Sequence, residues 1–162
     1  AVSARILNIY IQYKLKGLNP HDSDGKETSW LGDRVIQTKN DYRLGIFNGD
    51  MGFVVAINQQ HYIVEFDNTT AEIPKFSHNL ELGYCVSVHK FQGSESPFVI
   101  IPIHRSMSNM VTTRNWLYTA ISRAKTTCFI VGDWRLTNQM INQQQADLRK
   151  TSLGLYLDEG RN

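Results

Sequence analysis

Two cysteines and four prolines among 162 residues leave no disulfide framework and no proline-rich linker. Cys85 and Cys128 lie inside the apolar runs GYCVSV and TTCFIVG, with neither CxxC spacing nor a histidine cluster beside them, so they read as reduced core residues. His21, His61, His78 and His104 lack metal-ligand spacing with one another, and no Ser-His-Asp or Cys-His set is present that a standalone hydrolase would need. Missing too is any apolar run near the roughly 20 residues that cross a bilayer. The opening AVSARILNIY has none of the successive regions of a secretory leader. A cytoplasmic setting with no membrane partner is expected. Charge of one sign is scarce: the net charge is +2, so any contact with a phosphate backbone must come from a few placed groups and not from a broad basic field.

One absence bears on chemistry. Phosphoryl transfer on a P-loop needs the string GxxxxGK[ST], whose backbone amides and lysine hold the phosphates. It does not occur; the Gly25-Lys26 pair continues to Glu27 and has no glycine five positions before it.

What is present is enough for a core. Hydrophobic residues make up 41% of the chain and charged residues 20%, a globular balance. From Ser3 to Leu15, the residues Ile6, Leu7, Tyr10, Ile11 and Leu15 fall near one helical stripe, and Gly17 with Asn19-Pro20 supplies a stop. HDSDGKETS is polar and turn-rich, a linker or exposed loop. From Gly32 come short strand-like pieces, DRVIQT, MGFVVAI, HYIVEF and AEIPKF, separated by NGD, NQQ and DNTT. Four or five such strands in residues 32–82 predict an SH3-like barrel, with a small open sheet giving the same signals. After Gly83 the rhythm changes. YCVSVHK, PFVIIPI and TCFIVG are continuous apolar runs of the kind found in buried parallel strands, MVTTRNWLYTAISRA has helical period, and a polar helix is expected over about 137–150.

Two segments carry candidate chemistry. In VSVHKFQGSES, residues 86–96, an expected strand runs into a polar turn, and the carboxyl ends of strands are where open α/β sheets place ligands. Gly93 admits close backbone approach, Glu95 can accept from a ribose hydroxyl, and Ser87, His89 and Lys90 can meet phosphates; a solvated surface turn has the same residue types. In NWLYTAISRAK, residues 115–125, a helix would put Leu117, Ala120, Ile121 and Ala124 on one face and Asn115, Thr119, Ser122 and Arg123 on the other. A planar guanidinium at Arg123 suits a γ-phosphate, whereas Arg123 and Lys125 as simple partners of a helix C-terminus would contribute only about 0.3 to 1 kcal/mol.

Together and in this order, Val88-His89-Lys90-Phe91-Gln92-Gly93-Ser94-Glu95 and Leu117 to Ala124 resemble the closing motifs of superfamily 1 DNA helicases. GDRVIQTKNDYRLGIFNGDMG, residues 32–52, looks like the inserted SH3-like subdomain of the RecD/TraA type, which includes exodeoxyribonuclease V alpha-chain-like proteins, and LNIYIQYKLKGLNP looks like the helix and turn before that insertion. The resemblance covers most of residues 6–133. It implies an α/β fold: part of a RecA-like P-loop NTPase second motor domain, residues 1–31 and 83–162, interrupted by an SH3-like β-barrel at 32–82. It assigns Gly93 and Glu95 to nucleotide binding and Arg123 to the γ-phosphate as catalytic finger. It places Ser87 and His89 near single-stranded DNA, and Lys90 and Asn48 are expected to join them as DNA-binding residues on the chemistry of their side chains. Phe91 departs from the small or polar residue often found at its position. Asp158-Glu159 follows the arginine motif, whereas the family's metal-binding Asp-Glu precedes it, so this pair reads as a tail.

ATP and magnesium are the cofactors implied for the parent enzyme, with none required by this piece. The implied partners are single-stranded DNA and an upstream RecA-like domain of the same polypeptide, and other subunits of a helicase–nuclease complex stay open. The chain alone is expected to be inactive. Two further points stay open as well. Asn40, Tyr42, Phe47 and Asn48 either touch DNA or, for the aromatics, fill the module's core, and the chain as a whole has a rival reading as a free-standing nucleic-acid- or protein-binding module.

Overall fold

The computed structural model describes residues 3–107 and 112–143. Asp158-Glu159 and the expected helical stretch beyond residue 143 lie outside them. Helix α1 (Ala4–Leu15) starts where the Ser3 hydroxyl accepts from the Ile6 amide at 3.3 Å, and it ends at Lys16 ahead of Gly17, whose φ is 72°. A single 3-10 turn, Pro20–Asp22, follows.

The buried face of α1 is not the expected one. Ile6, Tyr10 and Leu15 are exposed, while Asn8, Ile9 and Gln12 are buried. The reason is hydrogen bonding. The chain segments against which α1 packs have backbone groups outside any strand ladder, and burying them without partners would cost more than leaving a few apolar side chains in water.

Five strands form one antiparallel sheet: β1 (Arg34–Gln37), β2 (Met51–Ile57), β3 (His61–Phe66), β4 (Thr70–Pro74) and β5 (Leu80–Leu82), in spatial order β4-β3-β2-β1-β5. Alternation puts Val54, Val64, Phe66, Ala71 and Ile73 inside and Phe53, Glu65 and Glu72 outside. With Val35 and the loop residue Ile46, the inward set makes a core belonging to the sheet alone. The expected barrel is not closed, because β4 and β5 are edges. Both are poor partners for closure: β5 has three residues, and β4 ends in Pro74, which has no amide to donate.

The remainder is a two-stranded parallel sheet, β6 (Ser96–Ile103) and β7 (Ala124–Gly132), joined through helix α2 (Arg114–Ile121), with helix α3 (Trp134–Asn142) after it. Thr113 caps α2 by accepting from the Trp116 amide at 3.2 Å, and Asp133 caps α3 by accepting from Leu136 at 3.1 Å. Ile101, Ile103, Leu117, Ala120 and Met140 form a second core on one face. The other face leaves Phe98, Ile100, Phe129 and Val131 between 51% and 68% exposed.

Three expectations fail in this half of the chain. YCVSVHK is not a strand: residues 83–87 are irregular and 88–93 form turns, with Phe91 donating to the Ser87 carbonyl at 3.1 Å and Ser94 to that of Phe91 at 3.2 Å. Its apolar residues are tied down by side-chain partners and by Val88 packing on the second core, so no ladder is needed. The motif helix stops at Ile121, and Ala124 already belongs to β7. Helix α3 starts at Trp134, three residues before the beginning expected for a helix there.

Candidate nucleotide and nucleic-acid site

The parallel pairing builds the site. Because β6 and β7 run the same way with Ser96 opposite Ala124, the residues just before each strand become neighbours, although they are far apart in sequence. The Ser96 amide donates to the Arg123 carbonyl at 2.9 Å, which fixes the two chain ends together. The site therefore lies at the amino ends of two parallel strands, not at the carboxyl end of one as the sequence suggested.

Arg123 is held there by its own neighbourhood. Its Nε donates to the Thr119 carbonyl at 3.2 Å, Nη2 to the Ser122 hydroxyl at 3.1 Å, and Nη1 reaches the Ser94 carbonyl at 3.5 Å. Among the described residues no carboxylate lies within ion-pairing distance of it, so a half-buried guanidinium keeps its charge uncompensated beside the turn. Lys125, in contrast, pairs with Glu95 at 3.4 Å. That contact takes Lys125 away from any helix-end role and makes Glu95 an acceptor shared between a lysine and whatever else enters. Gly93 has φ +85°, a conformation that side chains rarely adopt, and nothing lies within 4 Å of where its Cβ would be. The turn thus offers bare, accessible backbone.

Ser87 and His89 are exposed on the same turn. Lys90 is less free, since its ammonium pairs with Glu81 of β5 at 2.5 Å. Asn48 sits on the β1–β2 loop, its amide donating to Asn40 Oδ1 at 2.8 Å. That loop approaches the turn: a Cβ on Gly49 would lie 3.5 Å from the Lys90 carbonyl oxygen. Tyr42 and Phe47 on the loop pack edge to face, 6.0 Å between ring centres, and both are exposed. They do not fill the module's core; Ile46 between them does.

Sequence reasoning passed over a second cluster, next to the turn. The Asp33 carboxylate is fully buried and accepts from the Gln12 amide, the Trp30 backbone at 2.6 Å and the Tyr84 hydroxyl at 3.0 Å, with Lys16 at 3.4 Å. Asn8 donates to the carbonyls of Leu82 and Cys85, both at 2.9 Å, and accepts from the Cys85 amide at 2.6 Å. Arg5 reaches the Gly25 carbonyl at 3.0 Å. The spacing Arg5, Asn8, Gln12, Lys16 was the available signal: a polar stripe as periodic as the apolar one beside it. Burial raises the Tyr84 phenol and pushes the Cys85 and Cys128 thiols up, away from the thiolate that a nucleophilic cysteine requires. Among the described residues no cluster of three or more metal-ligating side chains occurs, and no helix is long and apolar enough to cross a membrane.

An antiparallel sheet precedes a parallel layer with Arg123 at its amino end, and the profiles that match this chain put it in a class, the C-terminal region of a helicase. The profile of the UvrD-like helicase C-terminal domain matches residues 82–131, and that of the ATP-dependent RecD-like DNA helicase SH3 domain matches residues 7–66. The chain belongs to the RecD-type superfamily 1 helicases. It is 38% identical to the ATP-dependent RecD2 DNA helicase of Deinococcus radiodurans over 126 residues, 75% of this chain and 17% of that protein. It is 35% identical to the RecBCD enzyme subunit RecD of Mycolicibacterium smegmatis over 105 residues, 64% of this chain and 19% of that one. It spans a fifth or less of either relative. The fold is shared with a crystal structure of Pif1 helicase from Bacteroides in complex with ADP-AlF3 and ssDNA, at TM-score 0.56 and 22% identity over 85% of this chain and 35% of that one.

Proposed function

We propose that this chain is part of the second motor domain of an ATP-dependent DNA helicase, residues 1–31 and 83–162, carrying an inserted SH3-like module at 32–82. Arg123 is its arginine finger. The observation that carries this reading is the uncompensated guanidinium fixed between Thr119, Ser122 and the Ser94 carbonyl, beside the open backbone at Gly93. A fixed positive charge in a site that excludes water stabilises charge developing on a transferring phosphoryl group without reorganising. Gly93 admits the nucleotide and Glu95 accepts from it.

These residues fit one wall of a nucleotide site and no more. Phosphates and magnesium would be held by a P-loop and an Asp-Glu pair on a companion RecA-like domain, because the matching string is not among these 162 residues. ATP supplies the free energy of hydrolysis when bound between the two domains. Single-stranded DNA would run past Ser87, His89, Lys90 and the Asn48 loop, and Lys90 would exchange Glu81 for a phosphate. The 162-residue chain by itself is expected to hydrolyse no ATP.

The test is Arg123→Ala in the longer polypeptide, assayed for ATP turnover and nucleotide affinity. Turnover should fall about 10³- to 10⁵-fold with affinity nearly kept; turnover near the parent level would refute the assignment. The rival reading, a free-standing binding module, draws on the exposed Tyr42–Phe47 pair as a stacking platform. An open reading frame with a P-loop and Asp-Glu upstream of Ala1 decides for the motor.

A further inference from the structure

The turn that carries Gly93 and Glu95 has no strand before it to hold it in place, yet the segment leading into it is fastened at two consecutive residues. Tyr84 donates its hydroxyl to the buried Asp33 at 3.0 Å, and the Cys85 backbone is bonded at both its amide and its carbonyl by Asn8. Asp33 in turn stands at the first turn of the inserted sheet, where its carbonyl accepts from Val54 at 2.9 Å. The same carboxylate is therefore bonded to helix α1, to the loop entering the module and to the segment leaving it. A buried carboxylate shared by donors from several segments holds each segment in place through its own bond, and with Lys16 at 3.4 Å from the oxygen that Tyr84 bonds, the charge stays partnered when that one donor is lost.

We propose that Tyr84 and Asp33 are positioning residues for the proposed nucleotide turn, the phenol fixing where residues 87–94 stand relative to Arg123. This rests on the reading of Arg123 and the turn given above. It differs from a purely stabilising role in what each bond touches. Gln12 and Trp30 bind Asp33 from the side of α1 and the entering loop, while Tyr84 alone binds it from the side of the turn. Removing the Tyr84 hydroxyl takes away the turn's bond to Asp33 and leaves Cys85 on Asn8 and the rest of the cluster paired, whereas removing the Gln12 amide takes away one tie between α1 and Asp33 and leaves both fastenings of the turn in place. A displacement near 1 Å at a reacting centre can cost about 100-fold in rate.

The experiment uses the longer polypeptide with three variants, Tyr84→Phe, Gln12→Ala and Arg123→Ala, each measured for kcat, ATP KM and Tm. Tyr84→Phe should lower kcat about tenfold or more with Tm close to the parent, and Gln12→Ala should lower Tm with kcat within about twofold. Parent-level kcat in Tyr84→Phe, while Arg123→Ala collapses turnover, would overturn the positioning role and leave the site reading standing. A kcat loss in both Tyr84→Phe and Gln12→Ala that follows their Tm would overturn it too, as a stability effect. Normal turnover in Arg123→Ala would overturn the site reading and this inference with it.

Discussion

The antiparallel sheet and the parallel layer solve the same burial problem differently. The sheet encloses seven buried side chains from its own strands and one loop, so its inner face is complete within residues 34–82. The parallel layer covers one face with α2 and α3 and leaves the other carrying Phe98, Ile100, Phe129 and Val131 toward solvent. Parallel sheets are found with both faces covered. An antiparallel sheet with its own core is a module by itself, whereas a pair of parallel strands with one open face keeps apolar surface that other chain can cover. The proposed chemistry sits on the incomplete half, as expected for a site shared between two domains.

The contrast can be broken most sharply by separating activity from stability. Arg123→Ala in the longer polypeptide should abolish turnover with little change in unfolding, and Ile46→Ala in the module should cost about 2 to 5 kcal/mol in urea unfolding with the turnover of folded protein kept. Loss of turnover in folded Ile46→Ala would mean that the module's interior shapes the site directly.

A smaller difference concerns the open face. Ile100→Ala in the 162-residue chain should change stability by no more than about 0.5 kcal/mol, because the side chain is already in water. In the longer polypeptide the same change should cost about 2 to 5 kcal/mol if other chain covers that face. Equal costs in the two settings would show that nothing docks there.

Gly93→Ala comes next. The positive φ alone makes this substitution cost about 1 to 2 kcal/mol, and no neighbour obstructs the methyl group. ATP KM should nevertheless rise, because the bare backbone is where the nucleotide is proposed to approach. An unchanged KM would remove Gly93 from the site.

The smallest effect is the pH response. Burial raises the Glu27 carboxyl, with hydrogen bonding from Leu82 opposing. A raised folded value means that the protonated form is favoured by folding, so this contribution is present at acid pH and is lost as pH rises through the raised value. Asp133 is lowered, first by the hydrogen bond from Arg105, so its contribution is present above the ordinary carboxylate range and is lost on acidification. Melting curves of Glu27→Gln and Asp133→Asn should flatten opposite limbs of the Tm–pH profile, the second keeping its helix cap. Parallel profiles for all three proteins would sink both attributions.

Much of this was legible from residue order. The four strand-like pieces between residues 32 and 82 became β1 to β4, β2 to β4 with alternating stretches of a half-buried sheet and β1 buried in succession at Val35, Ile36 and Gln37, and the two helicase-like motifs were recognisable as strings. The α1 face, the missing strand at YCVSVHK and the Lys90–Glu81 and Lys125–Glu95 pairs were not, since each depends on what lies opposite. An exposed apolar stripe and a buried polar one have the same period, and only the partner tells them apart.

The sequence by itself determined helix α1, the strands β1 to β4, the module's inward face and the absence of a phosphate-holding loop, because these follow from local patterning, capping and the presence or absence of a string. Tertiary structure decided that Arg123 meets the Gly93 turn, through the parallel register of β6 and β7, and that Asp33 binds Tyr84. Both are contacts across long stretches of chain, fixed by the joint packing of elements that no local pattern encodes.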